Sequence, residues 1–486
     1  MRFSILYRSV PTEDHGNIIY DLSIDRSVAN FSRERRKNEY FCSVLARPLN
    51  NREDICYRRE ILGDFMRHEG LLPALKTLFN RYDKLKSDWL ELKGTGEYSR
   101  EDKGSEAMLD YTYSSLKVTA LFPKTIISFF KSVVDTLSSY DIASKGLCAL
   151  RDHAGELLAN SSLARISEIA SLFMYNSPWD YDFELTMTQD DTLGVQYAMI
   201  SGITKREKKK SSILSILSKK GKEEGIIENK SGIAGEDALD ILGEALFVID
   251  KLLEDITDNV YSDLYGLSAE LDFYEVALKY TAFIEERKTE FCYPEFSCDS
   301  MELGGLKDLF LLTESEETVY PNDLVLRDVK GALIKGKNNT GKTTFLRSIA
   351  TAQLFFQAGL PVTACSAALP VYSGVYTHFS GAEEEFSVGD SSGRFEGEVK
   401  AVADIMNRIN KGSLVILNET FQTTSYDEGS QAMSHILSAI GKLECRYIFV
   451  THLTELFDMM GDDTAKFMSA DGGSPFTIKN IKEIRT

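Results

Sequence analysis

Features that would place the chain in a membrane, outside the cell or on a disulfide framework are scarce in its 486 residues. No stretch approaches the roughly 18 uncharged apolar residues that a transmembrane helix needs. Residues 1–16 contain no apolar segment followed by a small-residue cleavage site. The seven cysteines form no Cys-x-x-Cys pair, which is typical of reduced cytosolic thiols rather than of disulfides or a zinc site. We therefore expect a cytoplasmic protein with no membrane partner.

Positively charged residues are fewer than negatively charged ones: the chain has 55 Lys and Arg residues and 74 Asp and Glu residues, which gives a net charge of −19. Such a surface repels nucleic acid at long range, so DNA binding would need a local basic patch or enclosure by a dimer. Residues 204–231 form such a patch, which contains Lys205, Arg206, Lys208, Lys209, Lys210, Lys219, Lys220 and Lys222. This segment is either a basic tip that contacts phosphates or a solvated loop between two helices. The absence of an aromatic residue for base stacking favours the loop.

Proline is nearly absent from residues 124–293, where Pro178 stands alone. Apolar residues recur at spacings of three and four through residues 238–288, which predicts one or two very long helices there. The segment SILYR, residues 4–8, gives a weaker strand signal. The length predicts two to four domains, and we expect residues 1–300 to form a mainly helical half.

Short apolar runs alternate with helical segments after residue 300. Strands are predicted at KGALIKG, GVYTHFS, SLVILNE and RYIFVTH, and helices near residues 343–357, 395–410 and 428–441. Alternation of this kind predicts an α/β domain with a doubly wound, parallel sheet over residues 301–486. The expected fold class is therefore multidomain, with a helical half followed by an α/β domain.

A glycine-rich turn, GxxxxGK[ST], follows the first of these strands in GALIKGKNNTGKTT, residues 331–344. A strand that leads through such a turn into a helix forms a cradle for a polyphosphate. Gly336 and Gly341 let the backbone turn its N–H groups inward. Lys342 would reach the β and γ phosphates, and the hydroxyl of Thr343 would bind Mg²⁺. The sequence thus predicts a P-loop domain that binds a nucleoside triphosphate with Mg²⁺.

Polar residues end two further apolar strands. SLVILNET ends in Asn418 and Glu419, where P-loop proteins place an acidic metal ligand and then a carboxylate that orients water. Glu419 is predicted to act either as general base or as the group that positions the water, whereas Asn418 offers only an amide oxygen to Mg²⁺ and predicts a weaker metal site. RYIFVTHLTEL places His452 at the next strand end, where an imidazole would sense hydrolysis on the γ-phosphate side. Taken alone, His452 would be interpreted as an ordinary hydrogen-bonded histidine in a loop. Because it follows the glycine-rich turn and the strand that ends in Asn418 and Glu419, the role of sensor is favoured.

The order of GKNNTGKTTFLRSIA, GRFEGEVKAVADIM, SLVILNETFQTTSYDEG and FVTHLTEL resembles the ATPase domain of the MutS mismatch-repair family. A looser resemblance extends upstream to residues 39–65, to SAELDFYEVALKYT and to TVYPNDLVL. It implies a helical core with levers, a homodimer through an ABC-type ATPase domain with composite ATP sites, and clamps that enclose DNA. The implied phosphate site consists of Gly336, Asn338, Asn339, Thr340, Gly341, Lys342, Thr343 and Thr344. Glu419, His452 and Lys342 would be catalytic, Thr343 and Asn418 would hold the metal, and Tyr320 or Val319 would pack on the adenine.

The chain also departs from the family pattern. Asn418 replaces the family's acid, which implies slow hydrolysis. Gly393 and Arg394 replace a Ser-Thr signature, and Arg394 could approach the γ-phosphate of the partner subunit instead. The segment TTSYDEG, residues 423–429, matches the family's contact with that subunit. No room is left before residue 39 for the family's mismatch-reading and connector domains, so mismatch recognition is not expected.

Two functions remain open from sequence. The first is an ATP-driven clamp on structured or branched DNA, with residues 204–231 as a reduced clamp or a flexible loop. The second is a nucleotide-gated dimerisation scaffold that hydrolyses ATP slowly and does not bind DNA. The net charge of −19 and Asn418 favour the second, and the family resemblance favours the first.

Overall fold

The computed structural model groups the chain into two compact units by its internal contacts. The helical unit comprises residues 1–3, 73–142 and 148–268, and the sheet unit comprises residues 4–72, 143–147 and 269–486. The predicted domain boundary at residue 300 stays a prediction. The structure describes residues 3–8, 12–15, 17–94, 105–159, 167–168, 170–171, 181–189, 195–205, 246–247, 250–251, 253–255, 264, 266–315, 318–380, 391–421, 425–469 and 477–481.

The sheet unit begins with helices. They are α1 Ile18–Asp21, α2 Ile24–Phe31, α3 Arg35–Leu45 and α4 Arg52–Arg67. The strand predicted for SILYR is wrong, because residues 5 and 6 donate their backbone N–H groups to a side chain instead of a neighbouring strand. Both bond to the Glu270 carboxylate, at 2.7 Å from Ile5 and 3.3 Å from Leu6. The Tyr274 hydroxyl donates to the Ile5 carbonyl at 2.6 Å, so the segment is fixed by side chains from far along the chain.

The helical unit contains long helices and one hairpin. These are α5 Leu71–Gly94, α6 Ser105–Ser138, α7 Lys145–Ala159 and the antiparallel pair β1 Tyr181–Gln189 and β2 Val195–Lys205. Helix α6 runs for 34 residues with Pro123 inside it. Phe129 of α6 stacks on Tyr82 of α5 at 4.2 Å between ring centroids, which joins the two helices through apolar side chains.

The helix prediction for residues 124–293 needs one correction. The β1–β2 hairpin lies in a stretch whose lack of proline suggested helices. The one or two very long helices predicted over residues 238–288 are described in part: residues 246–247, 250–251, 253–255 and 264 are helical, and the 20-residue helix α8 Leu267–Glu286 lies mostly in the sheet unit. It follows Gly266, whose φ of 85° is outside the helical range. Residues 206–245, which hold most of the predicted basic segment, and residues 256–263 lie outside the described residues.

The rest of the sheet unit is a mixed α/β arrangement. Its elements are β3 Glu295–Phe296, β4 Met301–Leu306, α9 Leu309–Glu314, β5 Asn322–Leu326, β6 Gly331–Lys335, α10 Lys342–Gln357, β7 Ser366–Leu369, β8 Val375–Phe379, α11 Ser391–Arg408, β9 Leu414–Asn418, α12 Tyr426–Lys442, β10 Arg446–Val450, α13 Leu456–Met459, β11 Thr464–Ser469 and β12 Ile478–Asn480. One sheet has the strand order β12-β11-β6-β10-β9-β8, and a smaller sheet has the order β3-β7-β4-β5.

Strands β6, β8, β9, β10 and β11 run parallel in the larger sheet, and β12 is antiparallel to β11. Every residue of β9 and β10 is buried, which explains why these strands read as unbroken apolar runs. The four predicted strands are confirmed as β6, β8, β9 and β10, and the three predicted helices as α10, α11 and α12. The carboxyl ends of β6, β9 and β10 meet at one edge of the sheet.

Among the described residues, no helix is both long and apolar enough to cross a membrane.

Helix α1 packs against β8, where the Thr377 hydroxyl donates to Asp21 Oδ2 at 2.6 Å. Burial raises the pKa of Asp21 to about 6, and the bond from Thr377 opposes this shift. A raised pKa means that the folded state holds the proton more tightly. The stabilising contribution of Asp21 is therefore complete below its ordinary pKa of 3.8 and is lost as the pH rises through about 6.

Asp21→Asn is accordingly expected to make the protein more stable at pH 7.5 by on the order of 1–3 kcal/mol. The amide can still accept from Thr377, but it carries no charge to desolvate. Urea unfolding between pH 4 and pH 7.5 measures the effect. The variant should lose the part of the wild-type decline that falls between about pH 4 and pH 6, whereas Asp404→Asn, an exposed position on α11, should keep it. Identical pH slopes for the wild type and Asp21→Asn would contradict the expectation.

Candidate nucleotide-binding site

The turn between β6 and α10, here called the glycine loop (residues 336–341), has a backbone that requires its glycines. Gly336 has a φ of 155° and Gly341 a φ of 82°. A Cβ atom on Gly336 would lie 1.7 Å from Ser469 Oγ, so no larger residue fits there. Asn339 also has a positive φ, of 58°, a conformation that asparagine tolerates better than most residues. The loop is therefore closely folded at the amino end of α10.

Two side chains hold this loop in shape through three hydrogen bonds. The Thr340 hydroxyl contacts the Lys337 carbonyl and Ser469 Oγ, each at 2.8 Å. Lys342, which is 4% exposed, donates from Nζ to the Lys337 carbonyl at 2.5 Å. Burial lowers the pKa of Lys342, and the Glu419 carboxylate partly offsets this. Among the described residues, one backbone oxygen thus holds the ammonium group over the loop, and an anionic ligand could replace it.

The ends of β9 and β10 bring three more predicted residues to the loop. The Thr343 hydroxyl donates to Asn418 Oδ1 at 3.1 Å. Glu419 follows directly, and its Oε1 lies 2.9 Å from His452 Nε2. The site therefore contains a carboxylate and an imidazole in hydrogen-bond contact, opposite a lysine at the start of a helix.

A cavity of about 860 Å³ lies between these elements. It is lined by Asn338, Asn339, Thr340, Gly341, Lys342, Thr343, Thr344, Glu419, Phe421, Tyr426, His452, Leu453 and Thr454. The structure thus brings the predicted phosphate residues and the predicted catalytic residues to one space. Gly336 and Asn418 are not among the lining residues. Gly336 shapes the loop, and Asn418 is linked to the cavity through Thr343.

A second, more apolar cavity of about 460 Å³ adjoins the first and shares Asn339, Gly341 and Thr344 with it. Val319 and Tyr320 line this space, and Tyr320 is half exposed. Leu306, Leu311 and Phe345 also line it and were missed from sequence. No motif marks these three residues, because apolar side chains of this kind occur throughout any folded core. The pair of cavities suits a ligand with a charged tail and a flat, apolar ring.

The described residues hold no cluster of three or more His, Cys, Asp or Glu side chains able to bind a metal. A divalent cation at this site would depend on the oxygen atoms of Thr343 and Asn418 and on oxygen atoms of the ligand. Both side chains offer hard oxygen donors of the kind that Mg²⁺ accepts, and Mg²⁺ commonly keeps several water ligands besides. The donor set therefore fits Mg²⁺, but without a protein carboxylate in direct contact with Thr343.

Some predicted features fall outside the description. Residues 423 and 424, which begin the predicted partner-contact segment, are not among the described residues, and nor are residues 381–390 and 422. The backbone of Arg394 belongs to α11, but its side chain is not described, so its predicted approach to a partner's phosphate stays a prediction.

Comparison with known proteins identifies the family to which the nucleotide-site region is related. A family model described as MutS domain V matches residues 332–470. The DNA mismatch repair protein MutS of Fervidobacterium nodosum is 29% identical over 232 residues, which is 47% of this chain and 27% of that protein. The Petrotoga mobilis protein of the same name is 32% identical over 217 residues, or 43% of this chain and 25% of that protein.

The Leptospira interrogans protein, also named MutS, is 36% identical over 143 residues, or 29% of this chain and 16% of that protein. The chain therefore spans about a quarter or less of the length of these curated relatives. The matched domain contains the glycine loop, Asn418, Glu419 and His452, in the order that the sequence resemblance led us to expect. Residues 332–470 therefore belong to domain V of the MutS family.

Proposed function

We propose that the chain binds ATP with Mg²⁺ in the 860 Å³ cavity and hydrolyses it there. One observation carries the proposal. The glycine loop with its buried Lys342 and the hydrogen-bonded pair of Glu419 and His452 line the same cavity from opposite sides. Phosphoryl transfer needs a cradle for the phosphates, a metal and a group that orients water, and these residues supply the cradle and the orienting group.

Each side chain has a role in this proposal. The N–H groups of the loop and the Lys342 ammonium bind the β and γ phosphates. Thr343 would hold Mg²⁺, with Asn418 behind it. Mg²⁺, when bound, would neutralise charge on the phosphates. Glu419 accepts a proton from water, and His452, 2.9 Å away, orients that carboxylate and contacts the γ-phosphate side. The ring of the adenine would occupy the second cavity against Tyr320 or Val319.

The wider organisation is proposed in the same way. Residues 301–486 would form a P-loop domain of the ABC type, and residues 1–300 a helical core with levers. We propose a cytoplasmic homodimer that closes through the ATPase domain. Exposed apolar side chains support this, because Tyr426 lines the cavity while 68% exposed, and Phe395 and Val399 are exposed on α11. Exposed aromatic and apolar side chains are typical of an interface.

Two functions are candidates for the proposed dimer. Family membership supports a clamp on structured or branched DNA, whose opening depends on the nucleotide. The net charge of −19 and the weak metal donor Asn418 support a nucleotide-gated scaffold that does not bind DNA. We favour the clamp, because the chain shares the family's domain V and local lysines can overcome an acidic surface at short range.

One experiment tests the proposal and separates the two outputs. ATP binding and turnover are measured alone and with duplex, branched and single-stranded DNA, at low and at high salt. Saturable Mg²⁺-dependent ATP binding supports the nucleotide site, and its absence contradicts it. Salt-sensitive stimulation by one form of DNA supports the clamp. ATP-dependent dimerisation that no DNA alters at either salt concentration supports the scaffold.

Asn418→Asp is expected to strengthen Mg²⁺ binding. A carboxylate in contact with Thr343 restores negative charge beside the cation, which should lower the Mg²⁺ concentration for half-maximal turnover by about tenfold and raise turnover itself. A Mg²⁺ titration of the ATPase rate checks this. Asn50→Asp adds the same charge at an exposed position outside the site and should leave the titration unchanged. If Asn418→Asp showed the same Mg²⁺ dependence as the wild type, we would conclude that Asn418 does not contribute to the metal site.

A further inference from the structure

The turn that follows β9 is held in an unfavourable backbone conformation at the proposed catalytic carboxylate. Glu419 has a φ of 54° and Phe421 a φ of 65°, so two of three consecutive residues are left-handed without being glycine. Such a conformation is unfavourable for any residue other than glycine. It persists only where surrounding contacts enforce it, and here it decides where the carboxylate of Glu419 points.

Three contacts from three separate elements enforce the turn. The Glu419 N–H donates to the Val450 carbonyl at the end of β10, at 2.8 Å. The Ser380 hydroxyl, after β8, donates to the Glu419 carbonyl at 3.1 Å. On the other side, the Phe421 N–H donates to Glu398 Oε2 at 2.7 Å. The last contact is the only one of these three that a side-chain carboxylate supplies, and it comes from α11.

Glu398 is unusual among its neighbours on α11. It is 4% exposed, whereas Phe395, Glu396, Gly397, Val399 and Lys400 around it are all exposed. A carboxylate in a buried position is costly unless it is hydrogen-bonded. The ring of Phe395 also lies 5.7 Å from that of Phe421. Glu398 therefore directs its charge into the turn instead of into solvent, and α11 is joined to Phe421 by both a polar and an aromatic contact.

We propose that Glu398 is a positioning residue for Glu419. By accepting from Phe421 N–H it fixes the left-handed turn and so the aim of the Glu419 carboxylate towards the cavity, without touching the nucleotide itself. The assignment rests on the proposed hydrolysis of ATP. It makes the position of α11 a determinant of turnover, because a shift of that helix would release the turn. A purely structural role for Glu398 would instead predict a loss of stability with no selective effect on the chemical step.

Three substitutions separate these roles. Glu398→Ala removes the acceptor, and Glu398→Asp keeps the charge but withdraws the acceptor by one methylene group. Glu398→Gln keeps an acceptor oxygen at the same reach without the charge. Glu396→Ala, on an exposed position of the same helix, is the matched control. For each variant we measure kcat and KM for ATP, the Kd of a non-hydrolysable ATP analogue and the thermal unfolding midpoint.

The expected result is a tenfold to hundredfold fall in kcat for Glu398→Ala and Glu398→Asp, because a misplacement of about 1 Å can cost that much. KM and the analogue Kd should stay within threefold of the wild type. Glu398→Gln should retain most of kcat, and Glu396→Ala all of it. If Glu398→Ala does not fold, the contrast between Glu398→Asp and Glu398→Gln decides the matter.

Other outcomes overturn the assignment. Unchanged kcat in Glu398→Asp and Glu398→Ala would exclude a positioning role while leaving the proposed hydrolysis intact. Parallel losses of kcat, analogue binding and unfolding temperature would assign Glu398 to structure alone. A wild-type protein without turnover would contradict the proposed function itself, and the assignment would fall with it.

Discussion

Glu419→Gln is expected to lower ATP turnover by about 100- to 1000-fold while leaving ATP binding intact. The amide has the same shape and can still bond to His452, whose Nε2 lies 2.9 Å from Glu419 Oε1. It cannot accept a proton from water, because an amide is not a useful base. The loss should therefore fall on kcat, and the variant should accumulate in its ATP-bound form.

Single-turnover hydrolysis and titration with a fluorescent ATP analogue measure the two quantities separately. Glu444→Gln, at an exposed position that pairs with Lys411, neutralises one carboxylate elsewhere in the sheet unit and serves as the control. If the ATP-bound state closes the proposed dimer, Glu419→Gln should also dimerise more completely in ATP than the wild type. Turnover within threefold of the wild type would show that another group activates the water.

Lys342→Met is expected to weaken ATP binding by about 10- to 100-fold. Charge-assisted hydrogen bonds to phosphate contribute on the order of 1.5–3 kcal/mol, and each 1.4 kcal/mol is tenfold in Kd. In the free protein the ammonium contacts only the Lys337 carbonyl among the bonds described for it, so its charge is available to a ligand. Methionine keeps the apolar stem of this buried side chain and so limits the effect on packing.

The same variant should not be less stable than the wild type in the absence of nucleotide, since burial lowers the pKa of Lys342 and thus opposes its charged form. Thermal unfolding with and without ATP distinguishes the two effects, because ATP should raise the midpoint of the wild type far more than that of Lys342→Met. Lys411→Ala, an exposed lysine in a turn, is the control. Equal ATP affinity in Lys342→Met and the wild type would exclude this loop as the phosphate site.

The parts of the fold that the sequence predicts are those fixed by neighbouring residues. The glycine loop could be predicted because its glycines, lysine and threonine are consecutive, and its positive φ angles at Gly336 and Gly341 follow from them. Strands β9 and β10 could be predicted because burial on both faces leaves an unbroken apolar run. Glu419 and His452 could be placed together because the carboxyl ends of parallel strands meet at one edge.

The parts that could not be predicted depend on partners far along the chain. The apolar pattern of SILYR suggests a strand, but its N–H groups bond to Glu270, 265 residues beyond Ile5. The second cavity could not be found, since Leu306, Leu311 and Phe345 become a surface only after folding. The contact of Glu398 with Phe421 likewise joins a helix and a turn 23 residues apart. The β1–β2 hairpin was missed because low proline content permits strands as well as helices.

If a nucleotide fills both adjoining cavities as proposed, the two parts of its binding energy respond differently to ionic strength. Attraction between phosphates and the loop with Lys342 weakens as salt screens it, whereas burial of a ring among Leu306, Leu311 and Phe345 does not. Because Asn339, Gly341 and Thr344 border both spaces, a ring in one restricts what can enter the other. An uncharged aromatic compound that fills only the apolar cavity would therefore compete with ATP, and its advantage would grow as the salt concentration rises.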